Sequence, residues 1–169
     1  MTVNVSGILK VYGEKIDIDS EIDLQSADFL GEEYVFSEPV RVKGTISNNG
    51  QSLELKANAD GVMNVHCARC CKELTVSVSF PVEEILSQDD GTVSEDDDVV
   101  VFSGNEIDLD DIVLNNFLMN VQGKYLCRED CKGLCPKCGK DLNEGECSCE
   151  EEIDPRWAGL AQIMKETTE

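Results

Sequence analysis

The stretch Val40-Arg41-Val42-Lys43-Gly44-Thr45-Ile46-Ser47-Asn48-Asn49-Gly50-Gln51-Ser52-Leu53-Glu54-Leu55 decides the fold. Successive side chains of a strand point to opposite faces, so Val40, Val42 and Ile46 share one face while Arg41, Lys43 and Thr45 take the other. Asn49-Gly50 supplies two residues that tolerate positive φ, which predicts a two-residue type I′ hairpin. Behind that turn Leu53, Leu55, Ala57 and Ala59 return on one side, and after Cys67-Ala68-Arg69-Cys70 the run Leu74-Thr75-Val76-Ser77-Val78-Ser79-Phe80 alternates again. Three consecutive antiparallel strands, turning at Asn49-Gly50 and at the first cysteine pair, make a β-meander.

Working outward, Val3, Val5 and Ile8 to Tyr12 suggest a first strand, and Ile16, Ile18 and Ile22 a second. Residues 1–86 therefore read as an antiparallel β-rich domain. Residues 87–98 are polar and acidic with no apolar period, the mark of a loop or linker. Residues 99–169 follow as a helical, cysteine-rich segment packed on the β domain. Val99 to Phe102 can add a short strand. Asp108 reads as a helix N-cap, followed by the stripe Leu109, Ile112, Val113, Asn116, Phe117 and Asn120. A second helix is expected from Asp154-Pro155, with Trp157, Leu160, Ala161 and Met164 on its docked face. The expected class is α+β: an N-terminal antiparallel meander or partial barrel with a C-terminal helical and zinc-knuckle segment.

Composition narrows the function. The 169 residues carry 35 acids against 14 bases, a formal charge of −21. Between Glu83 and Asp111 stand twelve acids and no base. A protein that grips bare nucleic acid normally presents a basic surface, so binding to naked RNA is expected to be weak. A basic protein partner, or a small cationic patch inside an acidic shell, suits this charge better. The longest apolar run, Val99 to Phe102, is far short of the ~20 residues a membrane span needs, and Met1 to Gly7 has no signal-peptide pattern. The expected address is cytoplasmic, a reducing compartment in which cysteines favour metal over disulfides.

Eight of the nine cysteines fall into four pairs: Cys67-x2-Cys70, Cys127-x3-Cys131, Cys135-x2-Cys138 and Cys147-x1-Cys149. Short gaps let one segment supply two corners of a thiolate tetrahedron, so four pairs imply two four-cysteine Zn2+ sites. The preferred partition joins Cys67, Cys70, Cys127 and Cys131 in one site and Cys135, Cys138, Cys147 and Cys149 in the other. The second set closes within 15 residues (135 to 149), whereas the first clips the meander to the C-terminal segment. The rival partition joins the two x2 knuckles, Cys67/Cys70 with Cys135/Cys138, as zinc ribbons do. Cys71, directly after Cys70, is expected on the opposite face as a small buried hydrophobe, and His66 is expected to face away from Cys67. Five bases, Lys124, Arg128, Lys132, Lys137 and Lys140, surround these pairs with only two acids among them. With Arg69 inside the first knuckle, Arg128, Lys132, Lys137 and Lys140 are candidate contacts to RNA or an acidic partner; compensation of thiolate charge is their plainer role. No nucleophile motif, phosphate-binding glycine loop or calcium loop is present, and two closed four-thiolate sites leave no open coordination position. Catalysis is not expected.

The stretch Leu126-Cys127-Arg128-Glu129-Asp130-Cys131-Lys132-Gly133-Leu134-Cys135-Pro136-Lys137-Cys138-Gly139-Lys140-Asp141-Leu142-Asn143 resembles the bacterial YceD family. Cys147-x-Cys149 followed by Glu151-Glu152-Ile153-Asp154-Pro155-Arg156, Cys67-Ala68-Arg69-Cys70 and Glu38-Pro39-Val40 fit the same pattern, so the resemblance covers nearly the whole chain. It implies a role in accumulation of 23S ribosomal RNA and in large-subunit assembly, with a large-subunit precursor or a basic ribosomal protein as partner. The sequence departs from that pattern at Cys71, where an aliphatic residue is expected, and at Asn115, Asn116 and Asn120. A reading from another class is a zinc-gated thiol sensor or chaperone, in which oxidation ejects metal and unfolds a segment.

Overall fold

A computed structural model describes residues 1–24, 26–29, 31–89 and 99–149. The meander is its centre: β5 (Val40–Asn48), β6 (Leu53–His66) and β7 (Glu73–Gln88) are consecutive and antiparallel. β6 and β7 pair along their whole shared length, from Leu53↔Leu86 to His66↔Glu73. The other edge of β6 is divided between two partners. β5 covers its first half, with Asn48 opposite Leu53 and Arg41 opposite Asp60, and β4 (Glu32–Phe36) covers its second, with Phe36 opposite Met63. Pro39 stands in the break between β4 and β5, where a residue without an N–H does not interrupt a ladder. β2 (Lys15–Ile22) extends the sheet beyond β5, β3 (Ser26–Phe29) beyond β4, and β8 (Val99–Phe102) runs parallel to the end of β7.

The alternation expected from the sequence is the burial pattern observed. Val40, Val42 and Ile46 are buried on β5, Leu53, Leu55, Ala59, Met63 and Val65 on β6, and Phe80, Val82 and Leu86 on β7. β1 (Thr2–Asn4) and β9 (Glu106–Asp108) form a separate two-stranded ladder that delivers the chain into α1 (Leu109–Asn120). Asp108 is the N-cap of α1, its carboxylate accepting from the Asp110 N–H at 3.1 Å. The helix buries Leu109, Ile112, Val113 and Phe117, and the Phe117 ring meets Tyr34, Phe36 and Phe80 at centroid distances of 5.7, 5.0 and 5.7 Å. Each such aromatic pair adds about 0.5–1.5 kcal/mol beyond burial, so Phe117 pins the helix across β4 and β7.

Three expectations are corrected. Among the described residues the protein is strand-rich with a single helix, a meander more than a balanced α+β fold. Ile8 to Tyr12 are turns rather than strand: Ile8 is buried, and the Asn48 amide, itself buried, donates to the carbonyls of Ile8 (2.6 Å) and Leu9 (3.1 Å). A tertiary contact thus overrides an apolar run too short to choose its own state. The β5–β6 turn is a four-residue loop, Asn49 to Ser52, in which Gly50 has φ +94° and Asn49 does not enter the left-handed region that a type I′ turn requires. Asn48 and Asn49 side chains close it instead, accepting from the N–H groups of Gly50 (2.7 Å) and of Gln51 and Ser52 (3.0 and 2.9 Å). β7 continues through Ser87 and Gln88. The remainder of the expected acidic linker, residues 90–98, and the expected helix from Asp154-Pro155 lie outside the described residues.

Candidate metal centres

The far end of the β6–β7 hairpin is the first knuckle. The Cys67 N–H donates to the Lys72 carbonyl (2.8 Å) and the Cys71 N–H to the Cys67 carbonyl (2.9 Å), so the chain wraps once and turns both Cys67 and Cys70 inward. The segment after α1 comes alongside through a parallel bridge, Cys67↔Tyr125, reinforced by the Ala68 N–H to the Tyr125 carbonyl (2.8 Å). That docking carries Cys127 and Cys131 to the same point. The sulfurs of Cys67, Cys70, Cys127 and Cys131 all lie within 4.8 Å of one another, and Cys67, Cys70 and Cys131 are buried.

The second knuckle repeats the first. The Cys135 N–H donates to the Lys140 carbonyl and the Gly139 N–H to the Cys135 carbonyl, both at 2.9 Å. Cys147 and Cys149 complete a group with Cys135 and Cys138 whose sulfurs again lie within 4.8 Å of one another. This cluster is shallower: Cys135 is buried, Cys147 and Cys149 are half-buried and Cys138 is exposed. The structure therefore brings the eight cysteines together in the preferred partition and leaves the two x2 knuckles in separate clusters.

Geometry and charge both make room for a cation. Sulfurs stand 3.9 Å apart between Cys67 and Cys131, 3.7 Å between Cys70 and Cys127 and 3.4 Å between Cys135 and Cys147, and every cysteine is free of disulfide. Four thiolates about 2.3 Å from one metal stand about 3.8 Å apart, so these spacings are near a filled tetrahedron. Within each cluster one thiol is strongly acidified and another resists ionisation. The Cys127 N–H, at 3.4 Å from its sulfur, brings Cys67 down to about 6, and burial raises Cys127 to about 12. The Cys138 N–H lowers Cys135 to about 6, while Cys149, in a side-chain hydrogen bond with the Cys138 thiol, rises to about 12. A bound cation removes that conflict by favouring all four thiolates.

A family model described as "Large ribosomal RNA subunit accumulation protein YceD" matches residues 55–164, the region that holds both clusters. The chain belongs to the YceD family. Uncharacterized proteins of Mycobacterium bovis and Mycobacterium tuberculosis are 32% identical to it over 101 residues, which is 58% of this chain and 49% of each relative. An uncharacterized protein of Mycobacterium leprae is 26% identical over the same number of residues, covering 58% of this chain and 46% of its own. The chain thus spans about half the length of the curated relatives it matches. No solved structure matches it.

The YceD chain's basic residues are placed less freely than the sequence suggested. The Arg69 guanidinium donates to the carbonyls of Glu129 (3.2 Å) and Cys131 (2.7 Å), tying the first knuckle to the loop that completes its cluster. Arg128 donates to the Asn143 side-chain oxygen (2.7 Å) and lies 3.4 Å from Asp130; the Lys140 ammonium donates to the Glu146 carbonyl (2.7 Å). Lys132 and Lys137 are exposed. His66, exposed at the end of β6, is outside both clusters as expected. Cys71 contradicts its expectation: it is exposed, with φ +57°, not a buried hydrophobe. Strand alternation ends at Cys67, and Cys71 occupies the place that Gly139, φ +72°, fills in the second knuckle. Asn143 was read only as part of a motif, yet its side chain bonds three residues of the Arg128–Lys132 stretch that completes the first cluster. An asparagine four residues beyond the knuckle glycine was the available signal. Among the described residues no helix is long and apolar enough to cross a membrane.

Proposed function

We propose that this protein is a zinc-stabilised ribosome biogenesis factor that supports accumulation of 23S ribosomal RNA and large-subunit assembly by binding rather than by catalysis. The observation that carries the reading is the family match across residues 55–164, which encloses both cysteine clusters. Soft thiolates in a tetrahedral set favour Zn2+ among the divalent ions available to a folding chain. Cys67, Cys70, Cys127 and Cys131 would hold one ion and Cys135, Cys138, Cys147 and Cys149 the other. Bound there, zinc supplies a cross-link. The first site fastens the tip of the central hairpin to the segment beyond α1, and the second gives that segment a local core of its own.

The charge indicates the kind of partner. With −21 overall, the surface repels bare phosphate and attracts a basic ribosomal protein or a precursor particle that displays one. Lys132 is an exposed base placed for a local phosphate contact, since the side chains of Arg69, Arg128 and Lys140 already serve the knuckles. Deletion of the gene tests the role. The reading expects a lower ratio of mature 23S to 16S ribosomal RNA and a deficit of large subunits in sedimentation profiles; unchanged ratios and profiles overturn it. Capture from cell extract at low and high salt, with RNA and protein both identified, separates a protein partner from RNA. Peroxide treatment addresses the sensor alternative, which requires loss of zinc with gain of client holding.

A further inference from the structure

Asn143 lies on the loop between Cys138 and Cys147, so by chain position it belongs to the second knuckle. Its side chain serves the first cluster. The side-chain oxygen accepts from the Lys132 backbone N–H at 2.8 Å and from the Arg128 guanidinium at 2.7 Å. Both partners are donors only, so the amide cannot be turned around, and its NH2 must face the other way. There it donates to the Cys131 sulfur at 3.4 Å and to the Asp141 carboxylate at 2.7 Å. Asp141 also accepts from the Asn143 backbone N–H at 2.8 Å, and Leu142 and Leu134 fix the same loop through the Leu142 N–H to the Gly133 carbonyl (2.9 Å) and the Leu134↔Asp141 bridge. One amide therefore joins the Arg128–Lys132 stretch of the first cluster to the second knuckle.

We propose that Asn143 is a positioning residue that couples the two metal sites. The second site, when filled, holds the loop so that the Asn143 NH2 supplies an N–H···S bond to Cys131 and its oxygen fixes the turn that presents Cys131. Hydrogen bonds to a ligating sulfur disperse thiolate charge and orient the ligand, and outer partners of this kind are typically worth about 10–100-fold in metal affinity. Filling the second site thus strengthens the first. By linkage the reverse also holds. The proposal rests on the two-site zinc reading and goes beyond it by making the sites unequal and dependent.

The test is competition of Zn2+ against a chelator in the full chain, with Co2+ loading as a spectroscopic readout of the cobalt–thiolate charge-transfer band. Cys147→Ser with Cys149→Ser abolishes one binding step and so identifies the other as the first site. Asn143→Ala should weaken that first-site step by about tenfold, shift its charge-transfer band and leave the second step in place. Asn143→Asp keeps the acceptor for Lys132 and Arg128 but turns a carboxylate toward Cys131 and Asp141, so it should weaken the first site further; it also reports if the alanine variant folds poorly. In the Cys147→Ser/Cys149→Ser chain the first site should already be weaker, and Asn143→Ala should then cost no more than about twofold, the non-additivity expected of coupled positions. A first-site step unmoved by either Asn143 variant overturns the proposal, as does an equal effect in both backgrounds. An unaltered chain that takes up no Zn2+ overturns the metal reading itself; two ions bound with no effect of Asn143 overturns only the coupling.

Discussion

The two knuckles are one backbone device used for two purposes. Cys67 to Lys72 and Cys135 to Lys140 make the same pair of main-chain hydrogen bonds, within 0.1 Å of each other, and place their two cysteines alike. They differ in where the remaining ligands come from. The second knuckle finds Cys147 and Cys149 just downstream, whereas the first takes Cys127 and Cys131 from beyond 56 intervening residues, the difference 127 − 70 − 1. The first cluster is correspondingly the deeper, set under the hairpin tip. Metal in the second cluster would close a short loop, while metal in the first would close a long one that contains β7, β8, β9 and α1 and so would act on the whole fold.

That contrast predicts unequal damage. Cys131→Ser should remove one zinc and about 3 kcal/mol or more of stability, roughly a 6–12 °C fall in Tm for a chain of this size, whereas Cys147→Ser should open only its own loop and move the global Tm far less. Thermal melts paired with zinc analysis check both; equal losses would break the distinction between the two clusters. Phe117→Ala sharpens it from outside. Removing the ring that meets Tyr34, Phe36 and Phe80 should cost about 3–5 kcal/mol in a denaturant melt while the folded chain keeps its full zinc content.

The smallest expected effect lies at Cys71, which holds the left-handed conformation that Gly139 takes in the second knuckle. A left-handed conformation costs a non-glycine residue about 1–2 kcal/mol, and glycine's greater freedom when unfolded returns about 0.5–1 kcal/mol of that. Cys71→Gly should therefore stabilise the protein by up to about 1 kcal/mol with zinc content unchanged. A loss of zinc on this change would make Cys71 a ligand rather than a strained turn residue.

What was legible in the sequence was local. The period-two pattern of Val40, Val42, Leu53 and Leu55 needs only a strand and one dry face, and the Asp108 cap needs only the first turn of a helix. The cysteine pairs were visible as pairs. Their grouping rested on how far the chain must travel to close each set. What was not legible depends on partners distant in sequence. Ile8 to Tyr12 turn where Asn48, 40 residues from Ile8, donates to the carbonyls of Ile8 and Leu9. Arg69 looked like a surface contact because its acceptors, Glu129 and Cys131, lie 60 and 62 residues away. Cys71 was assigned by strand alternation that had already ended, and comparison with Cys138-Gly139 would have shown the turn.

The central claim is that two four-thiolate sites hold zinc and that the first staples the fold together. Native mass spectrometry of the full chain, purified under reducing conditions and titrated with a chelator, tests it most directly. The account predicts about two Zn2+ per chain at the start, by the four-ligand rule. A one-zinc species should then retain the folded charge-state distribution, and the chain should unfold as the last ion leaves. A chain that carries no zinc, or one whose charge states stay folded after both ions are stripped, would contradict it.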